Sequence, residues 1–407
     1  MVLTGVEYLA PLTKCSPINK SKLPIIVIAQ FCCTALWFAG NGVMGNLVAE
    51  FLLPAAALGH LTSAVQFGFI TGTLLLGLLM LADRFSPSRI FFVSALAGAL
   101  ANLGIITSGH TLFSLLFLRF LTGFFLAGIY PVGMKIAADY YDKKLGRSLG
   151  YLVGALVVGT AFPHLLKGLV GAAFPWRWVM MVTSGLAVAG GVAILLMVPD
   201  GPHRKPGQRL VPRAILKVFG FPKFRAAALG YFGHMWELYA FWAFIPVMLA
   251  TYQKLHIEVV FDNSWWSFFI IAIGGVACVG SGQLSLCWGT ANTAKWALRM
   301  SGICCCLSPL FFYLPFPALF LGFLLFWGIV VIADSPLFST LVAQNAPPEI
   351  KGTALTIVNC IGFSVTIISI QLLTGLSELI DGQWLFVILG LGPMVGLWSN
   401  SRNNFSD

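Results

Sequence analysis

Two ionisable residues three positions apart, His234 and Glu237, stand inside an apolar run, with Tyr231, Trp236, Tyr239 and Trp242 around them. On a helix that spacing puts both on one face. A carboxylate held away from water beside an imidazole can exchange a proton near neutral pH. Glu237 is the only carboxylate that the apolar pattern sets deep in a run, so it is the leading candidate for a proton carrier. His234 would be its partner or a substrate ligand. The plainer alternative is a hydrogen-bonded pair that only fixes packing. Arg119 is the opposite charge. It lies about eight residues into its own run, roughly 12 Å along a helix axis. A charge at such depth costs about 2.5–3.5 kcal/mol on insertion scales. It therefore holds an anionic group of a substrate or pairs with a carboxylate, a permanent structural ion pair being the even alternative.

Lesser polar candidates follow the same logic. Trp37, Asn41, Gln66, His164 and Asn359 all fall within apolar runs. Trp37 reads as lipid-facing or packed rather than as a binding platform. His164 and Lys167 lie toward one mouth, where a lysine can reach water along its stem. Asp334 lies nearer a run's end and reads as a gate residue. Asp83 and Arg84 end another run. Asp83 could cap a neighbouring helix or pair with a loop arginine, a contact of about 0.3–2 kcal/mol that biases a gate without locking it.

The elements that position these residues must be membrane helices. Of 407 residues, 58% are hydrophobic and only 9% charged, against about 25% charged in soluble domains. That is too little charge to clothe a soluble core, so lipid must cover much of the surface. About 20 apolar residues cross the hydrocarbon as a helix. The pattern yields twelve such runs: about 24–48, 58–81, 90–107, 112–136, 148–170, 176–198, 226–250, 264–287, 296–314, 317–341, 353–375 and 384–399. All but four of the 24 Lys and Arg residues fall on loops of one side, the exceptions being Lys167, Arg177, Lys254 and Arg119. The basic side is expected to be cytoplasmic, with both termini there. The first 23 residues are polar and mixed, which argues for a retained first helix. The nine cysteines, among them Cys32–Cys33 and Cys304–Cys305–Cys306, read as small buried hydrophobes rather than a disulfide framework.

The stretch from Pro199 to Arg225 is long, polar and rich in Pro and Gly, and it divides the runs six and six. The expected organisation is a tail (1–23), a six-helix bundle (24–198), a linker (199–225), a second bundle (226–399) and a tail (400–407). The bundles read as a parallel repeat. Pro131 and Pro336, Gly146 and Gly352, and Trp176 and Trp384 recur at near-constant spacing. Two parallel six-helix halves around a central site is a transporter design.

The chain resembles the major facilitator superfamily over essentially its whole length. Leu81-Ala82-Asp83-Arg84 matches the core of the family's loop signature between helices 2 and 3, with Leu79, Ser86 and Pro87 where the family has Gly, Gly and Arg. Arg119-Phe-Leu-Thr-Gly123, followed by Gly128, Pro131 and Gly133, is similar to the helix 4 signature. Lys144-Leu-Gly-Arg-Ser-Leu-Gly150, Trp176-Arg177-Trp178 and Ala346-Pro-Pro-Glu-Ile-Lys-Gly352 are also family-like. The loop Leu286–Lys295 lacks the Asp of a second latch. Helix 5 has Val157-Val-Gly159-Thr160 where drug–proton antiporters carry Gly-Pro, which lowers a drug-export reading.

The resemblance implies an all-α membrane fold of twelve helices in two pseudo-symmetric bundles. It also implies alternating-access transport of a small organic solute, here read as proton-coupled. A uniporter, an exchanger or a non-transporting receptor on the same fold is the alternative. No HExxH, no paired metal ligands and no ATP-binding loop occur in the sequence. The expectation is therefore no enzyme activity, no cofactor and no metal. The expected partners are a small molecule, protons and the lipid bilayer, without nucleic acid. The expected form is a monomer in a bacterial cytoplasmic (inner) membrane.

Overall fold

The computed structural model describes residues 22–141, 145–171, 175–204, 218–347 and 350–402. Most of the expected tails (1–21 and 403–407) and part of the linker (205–217) lie outside the described residues. Those described form helices joined by short turns. Nine are long and apolar enough to cross a membrane. Two more helices, Pro87–Gly104 and Pro222–Leu255, and a broken N-terminal rod fall outside that measure.

In chain order, the N-terminal rod consists of α1 (Lys22–Thr34), α2 (Ala39–Gly42) and α3 (Met44–Phe51). Then come α4 (Ala57–Leu78), the short α5 (Leu81–Arg84), α6 (Pro87–Gly104), α7 (Leu112–Leu126), α8 (Tyr130–Tyr140), α9 (Leu145–Val170) and α10 (Arg177–Met197). The second set is α11 (Pro222–Leu255), α12 (Asn263–Trp288), α13 (Thr290–Tyr313), α14 (Pro317–Ala333), α15 (Ser335–Asn345) and α16 (Lys351–Leu376). The last rod is α17 (Gly382–Leu385), a 3₁₀ turn (Phe386–Gly390) and α18 (Leu391–Arg402).

Four expected helices are interrupted, the twelfth by the 3₁₀ turn Phe386–Gly390. The first is interrupted between Thr34 and Ala39, where Leu36 and Trp37 donate to the third residue back rather than the fourth. The fourth breaks between Leu126 and Tyr130, and the tenth at Asp334. Pro131 and Pro336 stand in the first turn of α8 and α15 respectively. Proline lacks an N–H and is best suited to the first turn of a helix, so each one stands where its rod restarts.

The breaks fall at matched places, which makes the repeat physical. α7 plus α8 and α14 plus α15 each span 29 residues, and α9 and α16 each have 26. The packing repeats as well. A methyl group on Gly123 would lie 1.9 Å from the Val65 carbonyl oxygen, and one on Gly328 would lie 2.2 Å from that of Ile270. Gly123 and Gly328 differ by 205 positions, as do Val65 and Ile270 and also Pro131 and Pro336. Both halves therefore use a glycine to bring two backbones into contact.

The halves meet along two seams, α9 with α12 and α4 with α16. At the end away from the termini, Gly59 packs on Thr374, Gly168 on Trp265, and Gln371 Nε2 donates to Ser63 Oγ at 2.8 Å. Gly154 and Gly275 touch near the middle. Nearer the termini, a methyl on Gly150, Gly280, Gly282 or Gly352 would meet nothing within 4 Å. The seams are tight from the far end to the middle and loosen toward the terminal end.

Candidate functional site

The site builds around α11. Its 34 residues carry Tyr231, His234, Glu237, Tyr239 and Trp242 inward, all buried. Glu237 is 1% exposed and is held by the second half alone. Trp327 Nε1 of α14 donates to Oε1 at 2.6 Å, Ser301 Oγ of α13 to Oε2 at 2.9 Å, and Cys305 Sγ of α13 lies 3.4 Å from Oε1. Among the described residues, no Lys, Arg or His lies within ion-pair distance of Glu237. Neutral donors thus surround a carboxylate with no counter-charge, an arrangement that suits a group alternating between charged and neutral forms.

The expected Glu237–His234 partnership does not form. His234 Nδ1 instead lies 2.7 Å from Asp334 Oδ1, both side chains being buried. The reason is the break at Asp334, which turns that residue into the bundle toward α11. Asp334 was expected near a helix end as a gate. It sits at a helix end, but one made by the break and enclosed in the core. Among the described residues, Glu237 is accordingly one of two carboxylates only 1% exposed, Asp334 being the other.

Arg119 of α7 is 1% exposed and directs its guanidinium at the break in the N-terminal rod. Nη1 donates to Leu36 O at 3.2 Å and Nη2 to Trp37 O at 2.5 Å. The interruption of the rod exposes carbonyls, and the arginine satisfies them. Gly40 keeps that approach open, because a methyl there would lie 3.3 Å from Arg119 Nε. No carboxylate among the described residues is within ion-pair distance of Arg119.

Between the two charged centres lies an aromatic cluster at the junction of the halves. Trp37 is 1% exposed, so it packs at the centre and does not face lipid. Its ring stacks on Phe363 (5.7 Å, 24°) and contacts Phe69 (4.8 Å), Tyr239 (5.7 Å) and Tyr130 (6.5 Å). Trp37 Nε1 donates to Gln66 Oε1 at 3.3 Å. Tyr231 donates its hydroxyl to Asn359 Oδ1 at 3.0 Å. Asn41 donates to Thr62 Oγ1 at 2.8 Å and stays within the first half. His164 is buried in α9, beside the Pro163 that packs on Gly42, and makes no contact with Glu237.

A profile of the Major Facilitator Superfamily matches residues 26–370. The chain belongs to the Major Facilitator Superfamily. Among solved structures, it is similar to the superfamily's proton:xylose symporter bound to 6-bromo-6-deoxy-D-glucose (TM-score 0.73, 12% identity, 95% of this chain and 96% of that one). It is also similar to a bacterial homologue of the lysosomal transporter Spinster, inward-facing and occupied (TM-score 0.70, 13% identity, 94% and 96%). At such identities the likeness concerns the fold alone.

Similar sequences include an efflux pump of Fusarium oxysporum, 25% identical over 44% of this chain and 30% of the pump. Others are the 3-(3-hydroxy-phenyl)propionate transporter of Escherichia coli K12 (28%, over 38% and 36%) and a D-galactonate transporter of another Escherichia coli strain (25%, over 35% and 33%). The chain matches only about a third of the length of each of these relatives. As a superfamily member it is an integral, multi-pass membrane protein of a family of solute transporters.

Within that frame, the loop signature is wired differently from expectation. Asp83 pairs with Lys135 Nζ of α8 at 2.8 Å. Arg204 supplies a second tie by donating to the backbone oxygens of Asp83 (3.0 Å) and Phe85 (2.8 Å), and it also pairs with Asp200 at 2.6 Å. Arg84 is exposed and is not the partner of Asp83. Every member of this network belongs to the first half or the start of the linker, so it braces the half rather than joining the two. The sequence reading also missed Trp327, Ser301 and Cys305. Cys305 is indeed buried, but it touches Glu237 rather than filling apolar space, and Cys306 is exposed. Trp327 carried one usable signal, since it precedes Asp334 by two helical turns and shares its face.

Proposed function

We propose that this chain is a secondary active transporter that moves a small organic solute by alternating access, coupled to protons, with Glu237 as the proton carrier. The single observation that supports coupling is a fully buried carboxylate held by three neutral donors and no cation. An ionised carboxylate in that setting is costly, and a protonated one keeps its hydrogen bonds. Arg119 anchors an anionic portion of the solute. It is a buried cation whose neighbours are carbonyls rather than a carboxylate, and two of the similar transporters are named for carboxylates. The aromatic cluster around Trp37 contacts the remainder of the solute. Gln66 and Asn359 orient those rings, and Asn41 and His164 lie at its margin.

The proposed organisation is twelve spans, counting the three rods beyond the nine most apolar, in halves 24–198 and 226–399 joined by a linker at 199–225. The proposed setting is a monomer in a bacterial cytoplasmic membrane with both termini inside. On that orientation the loosened seams face inward, and the Asp83–Lys135 contact braces the inner rim.

The test is reconstitution in liposomes that enclose a pH-sensitive dye, with pooled metabolites added outside. Proton movement that requires one pool and is lost in Glu237→Gln supports the reading. Uptake with no proton movement, equal in wild type and variant, makes the protein a uniporter or exchanger and Glu237 structural. No response to any pool favours a receptor.

A further inference from the structure

Where the halves meet, aromatic rings from both sides close on one another. Trp37, Phe69 and Tyr130 come from the first half, and Tyr239 and Phe363 from the second. Trp37 stacks on Phe363 with centroids 5.7 Å apart and planes at 24°. Tyr239 lies against both rings, 5.7 Å from Trp37 and 5.2 Å from Phe363. Trp242 packs on Tyr239 at 5.3 Å and on Phe38 at 6.3 Å. Alternating access, as proposed above, parts these rings. A solute entering between the halves takes over the contacts they lose.

The polar atoms of the cluster are unequally matched. The acceptors are filled: Gln66 Oε1 by Trp37 Nε1, and the carbonyls of Leu36 and Trp37 by Arg119. Two donors are not. Gln66 Nε2 and Trp242 Nε1 are buried and have no hydrogen-bond partner among the described residues. An indole N–H can only donate, and so can the nitrogen of an amide side chain. The Gln66 atom that faces Trp37 Nε1 is therefore its oxygen, and the free end is the nitrogen. A donor left unmatched in a core is destabilising, so such groups call for a reason beyond packing. Gln66 belongs to α4 of the first half and Trp242 to α11 of the second. One meets Trp37 and the other meets Tyr239, so the two donors flank the Trp37–Tyr239 contact.

We propose that this cluster recognises a flat aromatic carboxylic acid whose ring bears an oxygen, and that Gln66 and Trp242 select that oxygen. The aromatic ring enters between Trp37 and the Tyr239–Phe363 pair and offers each a stacking face. A ring hydroxyl or carbonyl oxygen accepts from Gln66 Nε2 and Trp242 Nε1, one donor from each half. The carboxylate goes to Arg119, whose guanidinium already borders the backbone of Trp37. This rests on the assignment of Arg119 to an anionic group, and it names the rest of the solute. Because each half supplies one donor, the oxygen ties the halves together and bound solute favours the closed state.

The test reads binding without a gradient, so it does not depend on proton coupling. Full-length protein in lipid nanodiscs is titrated with the three hydroxyphenylacetate isomers, phenylacetate, cyclohexylacetate and gluconate. Affinity is read from tryptophan quenching and from the rise in melting temperature. The best hydroxyphenylacetate is expected to bind about tenfold or more tighter than phenylacetate, because a site built to bond an oxygen rejects the analogue without one. Phenylacetate in turn binds tighter than cyclohexylacetate. Trp242→Phe and Gln66→Met each keep phenylacetate binding and lose the preference for the hydroxyl. A merely structural role would weaken both ligands alike, so the ratio of affinities separates the two cases. Equal binding of hydroxylated and plain acids in the wild type, tighter binding of cyclohexylacetate or gluconate, or binding of none of the acids overturns the proposal, and none of these results depends on a variant folding. If the amide of the best isomer binds as tightly as its acid while the hydroxyl preference stays, the Arg119 assignment falls and the selection by Gln66 and Trp242 stands.

Discussion

The two halves share a framework and differ in charge. At the 205-residue offset that relates Gly123 to Gly328, Trp37 also corresponds to Trp242. Arg119 then corresponds to Leu324, Glu237 to Cys32, His234 to Ala29 and Asp334 to Ile129. Besides His164 and Asp139, the first half buries the cation Arg119, the second buries Glu237, Asp334 and His234, and neither has the other's groups at matching places. Glycine contacts and helix breaks are held by backbone geometry, which duplication preserves. Charges are held only by their neighbours, so each half can specialise. On the proposed function, anion recognition falls to the first half and proton handling to the second.

The largest effects should come from exchanging those roles. Glu237→Gln is expected to abolish solute-driven proton movement, a loss above about tenfold, while solute exchange across a membrane without a gradient survives. If exchange is lost along with proton movement, the division between the halves fails. Arg119→Gln should leave coupling intact and raise the half-saturating concentration of the active pool. Losing a charge-assisted contact of about 2–3 kcal/mol corresponds to roughly 30- to 150-fold. Measuring uptake against concentration decides this, and an unchanged value would make Arg119 a brace for the broken rod only.

The shared framework is tested by Gly123→Val and Gly328→Val. Each side chain would be driven into a backbone oxygen of the neighbouring helix. Both should destabilise the protein by about 1–3 kcal/mol, seen as a lower melting temperature. A large loss in one half and none in the other would mean that the repeat is not used equally. A smaller effect belongs to the contact between halves. Ser63→Ala removes the bond from Gln371, worth about 0.6 kcal/mol in membranes. It should raise the population open at the far end roughly threefold, read by thiol labelling at a cysteine introduced beside Thr374. Asp83→Asn should have the least effect. The Lys135 pair is partly exposed, with side-chain exposures of 24% and 19%, so it contributes about 0.2–1 kcal/mol, and the melting temperature should barely move.

The contrast between halves was half visible in the sequence. Arg119 and Glu237 stood out because a charge in an apolar run is rare and costly. Their partners did not. Nothing in the spacing of His234 and Glu237 reveals that each meets the α14–α15 rod, 100 and 90 residues further on respectively. Lys135 is one of the many basic residues on the same side of the chain, and only its contact with Asp83 in three dimensions singles it out.

The sequence by itself determined the solvent, the helical class and the duplicated plan. These follow from composition, from runs long enough to cross hydrocarbon and from prolines and glycines recurring at fixed spacing, all of which act locally along the chain. Only the tertiary structure decided where helices break inside those runs, that Trp37 lies at the centre, that Asp334 rather than Glu237 meets His234, and that the Asp83 network stays within one half. Those outcomes depend on which distant side chain satisfies a freed carbonyl or a buried charge. That choice is made by packing between helices, and no periodicity along the chain records it.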